Sequence, residues 1–185
     1  MKPPLLDPAV GSLIVSAAAL LFAVAGAHKL RGLARFEEIF AAYRVLPAPA
    51  ARCVAWLVPS IELAVAGALL YPPTRRWGVT GAVSLLLVYA AALGLNLARG
   101  NRDLDCGCGT AGDHRAIAAW MMWRNVLLAV SVATAAWPWA SRALALTDLV
   151  TITGALLAGV LLYAAIDRLL GEVAPRAARL THGTP

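Results

Sequence analysis

The sequence predicts an all-α integral membrane protein: a four-helix transmembrane bundle plus a fifth transmembrane helix. Two observations carry this. Of 185 residues, 61% are hydrophobic and only 14% charged, with a mean hydropathy of +0.73. An ordinary soluble domain is about 45–50% apolar and about 25% charged, so a water-soluble chain of this length could not hide so much apolar surface. The apolar residues also gather into five runs, each near the roughly 20 helical residues needed to cross a hydrocarbon core about 30 Å thick. The formal charge of +6 is spread over short loops between these runs. Contacts with lipid headgroups account for it, and nucleic acid is not an expected partner. No zinc-type spacing, P-loop, dinucleotide glycine pattern or internal repeat occurs.

The first span is expected over about 9–27. Its end, Ala25-Gly26-Ala27, resembles a signal-peptidase site, but the apolar run is longer than a usual signal core and the span is expected to be retained. In the connection from 28 to 52, Leu30, Leu33, Phe36, Phe40 and Tyr43 recur at three- and four-residue steps. That spacing describes an amphipathic helix at the interface, stopped by Pro47 and Pro49. His28 reads as a snorkelling or capping group. The second span, about 53–71, contains Pro59 and Glu62 and ends at Pro72-Pro73. The third, about 77–98, carries Tyr89 and Asn96. The fourth, about 116–137, holds Arg124 and Asn125. The fifth, about 143–170, is longer than a crossing needs and is expected to tilt; its Ala155 and Gly159 suit close helix contact. Residues 1–170 thus read as one transmembrane domain, and 171–185 as a polar tail.

Between the third and fourth spans lies Asp105-Cys106-Gly107-Cys108-Gly109-Thr110, with two of the three cysteines in the chain. Two thiols separated by one glycine can close a small, strained disulfide ring, and strain makes such a bond easier to reduce. The flanking glycines allow the backbone angles that a tight ring demands. Cys106 and Cys108 are therefore the candidate redox pair. Counting crossings puts Cys53, at the start of the second span, on the same side of the membrane as this loop. Thr110 or Asp113 is placed to cap the fourth helix, whose N-terminal end would favour a thiolate nearby.

Depth can be read from helical rise. Glu62 lies about 13 Å below Cys53, Arg124 about 12 Å below Ala116 and Tyr89 about 13 Å from Ala98. An unpaired charge at the bilayer centre costs at least about 2.5–3.5 kcal/mol. A contact between Glu62 and Arg124 is therefore expected, completed by Tyr89 or Asn125. Such a group either fixes helix register or handles protons. Sidedness is contested. Eleven of the 16 Lys and Arg fall on the cysteine-bearing face and four on the other, which by the positive-inside rule would put the cysteines in the cytoplasm. Disulfides persist outside the reducing cytosol, which argues the opposite.

The run His28-Lys29-Leu30, then Phe36 and Tyr43-x-x-Leu46-Pro47, then Pro59-x-x-Glu62-Leu63, then Cys106-Gly107-Cys108 and Arg124-Asn125 resembles the MauE family of methylamine utilisation. The resemblance covers roughly residues 10–135. It implies a DoxX-like membrane protein with a four-helix layout similar to vitamin K epoxide reductase. It also implies an inner-membrane location with the cysteine loop facing the periplasm, a thioredoxin-like partner of the MauD type and a disulfide-rich client such as methylamine dehydrogenase. Cys53 matches no position of the family pattern.

The function expected on these grounds is thiol–disulfide exchange through Cys106 and Cys108, with Cys53, Glu62, Tyr89, Arg124 and Asn125 in support. A quinone among Trp120, Trp123 and Tyr89 is a candidate electron carrier, although tryptophans near helix ends serve more often as interface anchors. Two other classes stay open. The cysteines could capture a soft metal such as Cu(I) or Hg(II) in a small membrane carrier, or the loop disulfide could be structural and the bundle an assembly scaffold.

Overall fold

The computed structural model describes residues 5–43, 48–101 and 117–181. Cys106 and Cys108 lie outside the described residues. Those residues form six α-helices: α1 (Pro8–Arg31), α2 (Leu33–Ala42), α3 (Ala48–Leu70), α4 (Arg75–Ala98), α5 (Ala119–Ala133) and α6 (Leu146–Thr181). Among them, strand pairing is limited to one isolated bridge between Leu6 and Trp139. Five stretches of the described residues are long and apolar enough to cross a membrane: Pro8–Arg31, Arg52–Leu70, Pro72–Ala98, Ala119–Ala136 and Leu146–Ile166. The all-α membrane class and the five spans are those predicted.

Each helix end has a local cause. Asp7 caps α1, its carboxylate accepting from the Ala9 amide at 2.8 Å, and Pro8 occupies the first turn, where a missing N–H costs nothing. α1 runs past the expected boundary to Arg31, and its last turn holds His28, Lys29 and Arg31, which suit the negative end of the helix dipole. Pro72 and Pro73 end α3. At the end of α4, Gly100 takes φ +77°. Its amide donates to Leu97 O at 3.1 Å and the Asn101 amide to Asn96 O at 3.0 Å, the double closure of a Schellman motif. Thr110 and Asp113, expected to cap the fourth helix, lie outside the described residues. Ala118 is the N-cap, extended at φ −135° and ψ 152°, with no side-chain cap bond. Ile117, buried beside Tyr43, Leu93 and Met121, anchors the chain just before that point, so the helix starts later than expected.

Helices α1, α3, α4 and α5 pack in series, and the end of α5 closes back against α1; α2 lies on α3. The core between them holds Val15, Ala18, Ala19, Phe22, Val65, Ala66, Leu69, Ala82, Leu86, Ala129 and Val132. Alanine is frequent here because helices in lipid gain by close approach rather than by escaping water. Large apolar side chains such as Val24, Leu127 and Val130 are exposed on the outside of the bundle, as a hydrocarbon solvent permits. α1 contributes Val15, Ala18, Ala19 and Phe22, so cleavage after Ala27 would remove part of the core. Residues 143–185 form a separate unit, built on α6, which continues beyond position 170 to Thr181.

Two glycines set the spacing around α3. A Cβ on Gly26 would stand 3.0 Å from Pro59 O, so α1 meets α3 closely one turn from Glu62. A Cβ on Gly78 would stand 2.6 Å from Leu69 N and 2.8 Å from Ala68 C, and both of these are backbone. Gly78→Ala should therefore destabilise the bundle by about 1–3 kcal/mol. Gly67→Ala, on an exposed helical face with nothing within 4 Å, should be neutral or stabilising. Thermal unfolding of both variants in the same detergent tests the pair, and equal melting temperatures would contradict the close α3–α4 approach.

Candidate functional site

Glu62 is wholly buried at the middle of α3. Since α3 packs between α1 and α4, those two helices supply its partners. Lys29, near the end of α1, donates from Nζ to Glu62 Oε1 in an ion pair. Tyr89, on α4, donates its hydroxyl to the same oxygen at 2.6 Å. The second carboxylate oxygen, Oε2, is buried with no hydrogen-bond partner among the described residues. The Lys29 ammonium also lies 5.1 Å from the centroid of the Tyr89 ring and 5.6 Å from that of Phe36 on α2. Its side chain is 13% exposed, so it joins a buried carboxylate to the edge of the bundle.

The expected contact between Glu62 and Arg124 is replaced by this arrangement. Both residues lie at similar depth, but α5 packs chiefly on α4 and not on α3. The Arg124 guanidinium instead sits 5.3 Å from the centroid of the Trp120 ring, one turn earlier on its own helix. Tyr89 does complete the Glu62 site, as one of the two residues expected there. Asn125 is buried on α5. Lys29 was missed because it reads as a loop charge just past the first span. Its signal was a lysine at a span end with a lone carboxylate one membrane leaflet deep in the next span, within reach of a four-carbon stem.

An apolar cluster lies at the same end of the bundle. Tyr43, Leu93, Ile117 and Met121 form a second buried cluster, with Ile39, Trp120 and Met122 packed against it. It draws the end of α2 onto α4 and the start of α5. Asn96, fully buried, donates to Ala92 O at 3.0 Å and accepts from Asn101 at 3.3 Å, which secures the end of α4. Cys53 is exposed near the start of α3. Of the aromatic residues expected around a quinone, Tyr89 is engaged with Glu62, Trp120 is packed in the second cluster beside Arg124, and Trp123 is 59% exposed. No group of three or more metal-ligating side chains occurs among the described residues.

Five stretches of membrane-crossing length among the described residues, three of which meet at a buried lysine–glutamate–tyrosine site, define a multi-pass membrane protein with ionisable groups inside its helical bundle. The chain belongs to the MauE family: the family model described as Methylamine utilisation protein MauE matches residues 7–138. The methylamine utilization protein MauE of Paracoccus versutus is 36% identical over 164 residues, covering 88% of this chain and 87% of the relative. That of Paracoccus denitrificans is 40% identical over 119 residues, covering 63% of this chain and 64% of the relative, and that of Methylorubrum extorquens 30% identical over 133 residues, covering 72% of each. No solved structure matches.

Breaking a buried pair leaves the other charge uncompensated, at a cost of about 3–5 kcal/mol, whereas replacing both partners by apolar groups is often neutral. Lys29→Met and Glu62→Leu should each lower the unfolding temperature markedly, and the double variant should lose much less than the sum. Arg124→Met combined with Glu62→Leu should show additive effects. Double-mutant cycles on thermal unfolding in detergent check both statements.

Proposed function

We propose that this chain is a membrane thiol–disulfide exchange protein, in which Cys106 and Cys108 trade a disulfide with a thioredoxin-like partner. The observation that carries the reading is the Cys-Gly-Cys sequence within the short 102–116 segment, between the secured end of α4 and Ile117. A bundle whose helix ends are fixed on both sides of this segment is a suitable platform for a reactive pair. The relatives are named for methylamine utilisation, and the clients fitting that name are disulfide-rich proteins such as methylamine dehydrogenase. Because disulfides persist outside the cytosol, the reading puts the pair on the periplasmic side of the inner membrane.

The exchange needs no further reactant. A thiolate of the partner attacks one sulfur of the Cys106–Cys108 disulfide and displaces the other as a thiolate, forming a mixed disulfide. The partner's second thiolate then attacks its own sulfur in that bond and releases the reduced pair. Two electrons and two protons pass from one dithiol to the other, and the reverse reaction uses the same steps.

With either Cys106→Ser or Cys108→Ser, the remaining thiol can still attack the disulfide of an oxidised partner, but the second cysteine that would complete the exchange from this side is gone. At least one of these variants should accumulate a mixed disulfide with the thioredoxin-like partner, visible on a non-reducing gel, and the double variant should form none. In intact cells, a membrane-impermeant maleimide should label the pair after mild reduction and not before. An unchanged redox state of the partner in the double variant would rule the exchange out.

A further inference from the structure

We propose that Lys29, Glu62 and Tyr89 form a proton-exchange site inside the bundle, at which Glu62 takes up and releases a proton through the Lys29 side. The site stands on its own geometry and does not depend on the cysteine pair.

Three observations support it. First, both donors, Lys29 Nζ and the Tyr89 hydroxyl, converge on Oε1, while the fully buried Oε2 has no partner among the described residues. Buried polar atoms in folded proteins are almost always bonded, so a carboxylate with one unpartnered oxygen is only half satisfied as an anion, and a proton on the group removes that cost without needing a cavity. Second, the ammonium does not rely on Glu62 alone. It faces the Tyr89 and Phe36 rings, and such faces stabilise a cation. The rings and the carboxylate thus share the ammonium between them. Third, Lys29 is the part of the site in touch with the bundle's edge, at 13% side-chain exposure against none for Glu62. An ionisable group at this depth in lipid is costly, and its usual justification is function.

The groups packed around the carboxyl limit what else could tune it. α1 presents Lys29 and α4 presents Tyr89. α2 carries Arg35, Glu37 and Glu38, but it reaches the site through Phe36, and Glu37 pairs with Arg52 at 3.5 Å. Arg124 on α5 is held beside Trp120. In the transfer step, the Lys29 ammonium passes a proton to Oε1, the oxygen it already touches, so that one N–H bond breaks, one O–H bond forms and Oε2 becomes the carbonyl oxygen of a neutral carboxyl. The neutral amine then takes a proton from water at its exposed side, and the net change is one proton moved from water to Glu62.

Hydrophobic carbodiimides add to neutral carboxyl groups in apolar surroundings, so N,N′-dicyclohexylcarbodiimide is the probe. It is applied to the full-length protein in detergent over a range of pH, and adducts are mapped by mass spectrometry. Glu62 should be modified, with a rate that falls about tenfold for each pH unit above the midpoint of a single titrating group. A water-soluble carbodiimide should instead modify exposed carboxylates such as Asp7. Lys29→Met should raise Glu62 labelling severalfold at a fixed neutral pH, because the competing ammonium is gone. Absence of Glu62 labelling from mildly acidic to mildly alkaline pH, or labelling indifferent to pH, would overturn the proposal and leave a permanently ionised structural pair. If the Lys29 variant does not fold, the pH dependence of labelling in the wild-type protein separates the two outcomes by itself.

Discussion

Inside a bilayer there is no water to solvate a carboxylate, and this constraint on Glu62 organises the bundle. An α3 helix that carries a charge at mid-depth must turn it toward donors, and those donors are Lys29 on α1 and Tyr89 on α4. Meeting both on one oxygen fixes the rotation of α3 about its axis and its place between the two neighbours. The close approach of Gly26 to Pro59 belongs to the same solution, because α1 must come near enough for Lys29 to reach inward. α2 then folds over the site, with Phe36 against the ammonium.

Much of this was legible in the sequence, for reasons tied to particular residues. The spans follow from hydropathy and length, which lipid enforces more strictly than water does. Pairing Glu62 with Tyr89 follows from helical rise, since both lie at similar depth from one face. Depth along the axis says nothing about which helices are neighbours, however. Arg124 has the right depth but rides on α5, which packs on α4. Lys29 has the right neighbour but sits at the span end, where only side-chain length reveals how far it reaches. The starting point of α5 was missed for a different reason: burial of Ile117 in the cluster with Tyr43, Leu93 and Met121 is tertiary and leaves no mark in local propensity.

The Lys29 site also bears on the charge asymmetry between the two membrane faces. Positive-inside counts rest on lysines and arginines free in loops. Lys29 falls by position on the cysteine-bearing face, yet its ammonium is spent inside the bundle on Glu62. The excess on that face is smaller than a loop tally suggests, which narrows the conflict with the redox argument for an extracytoplasmic cysteine pair.

At the opposite end, the chain is tied together by several contacts at once. Leu6 bridges to the segment around Trp139 through two backbone bonds of 2.8 Å, and Arg142 holds Asp7 with two nitrogens at 2.8 and 3.0 Å. Trp139 fills the notch above Gly11, and Arg75 stacks on its ring at 4.2 Å. With Lys29, Glu62 and Tyr89 joining α1, α3 and α4 further along, these helices are clamped at two levels, and a substitution that loosens one clamp leaves the other to hold the bundle's register.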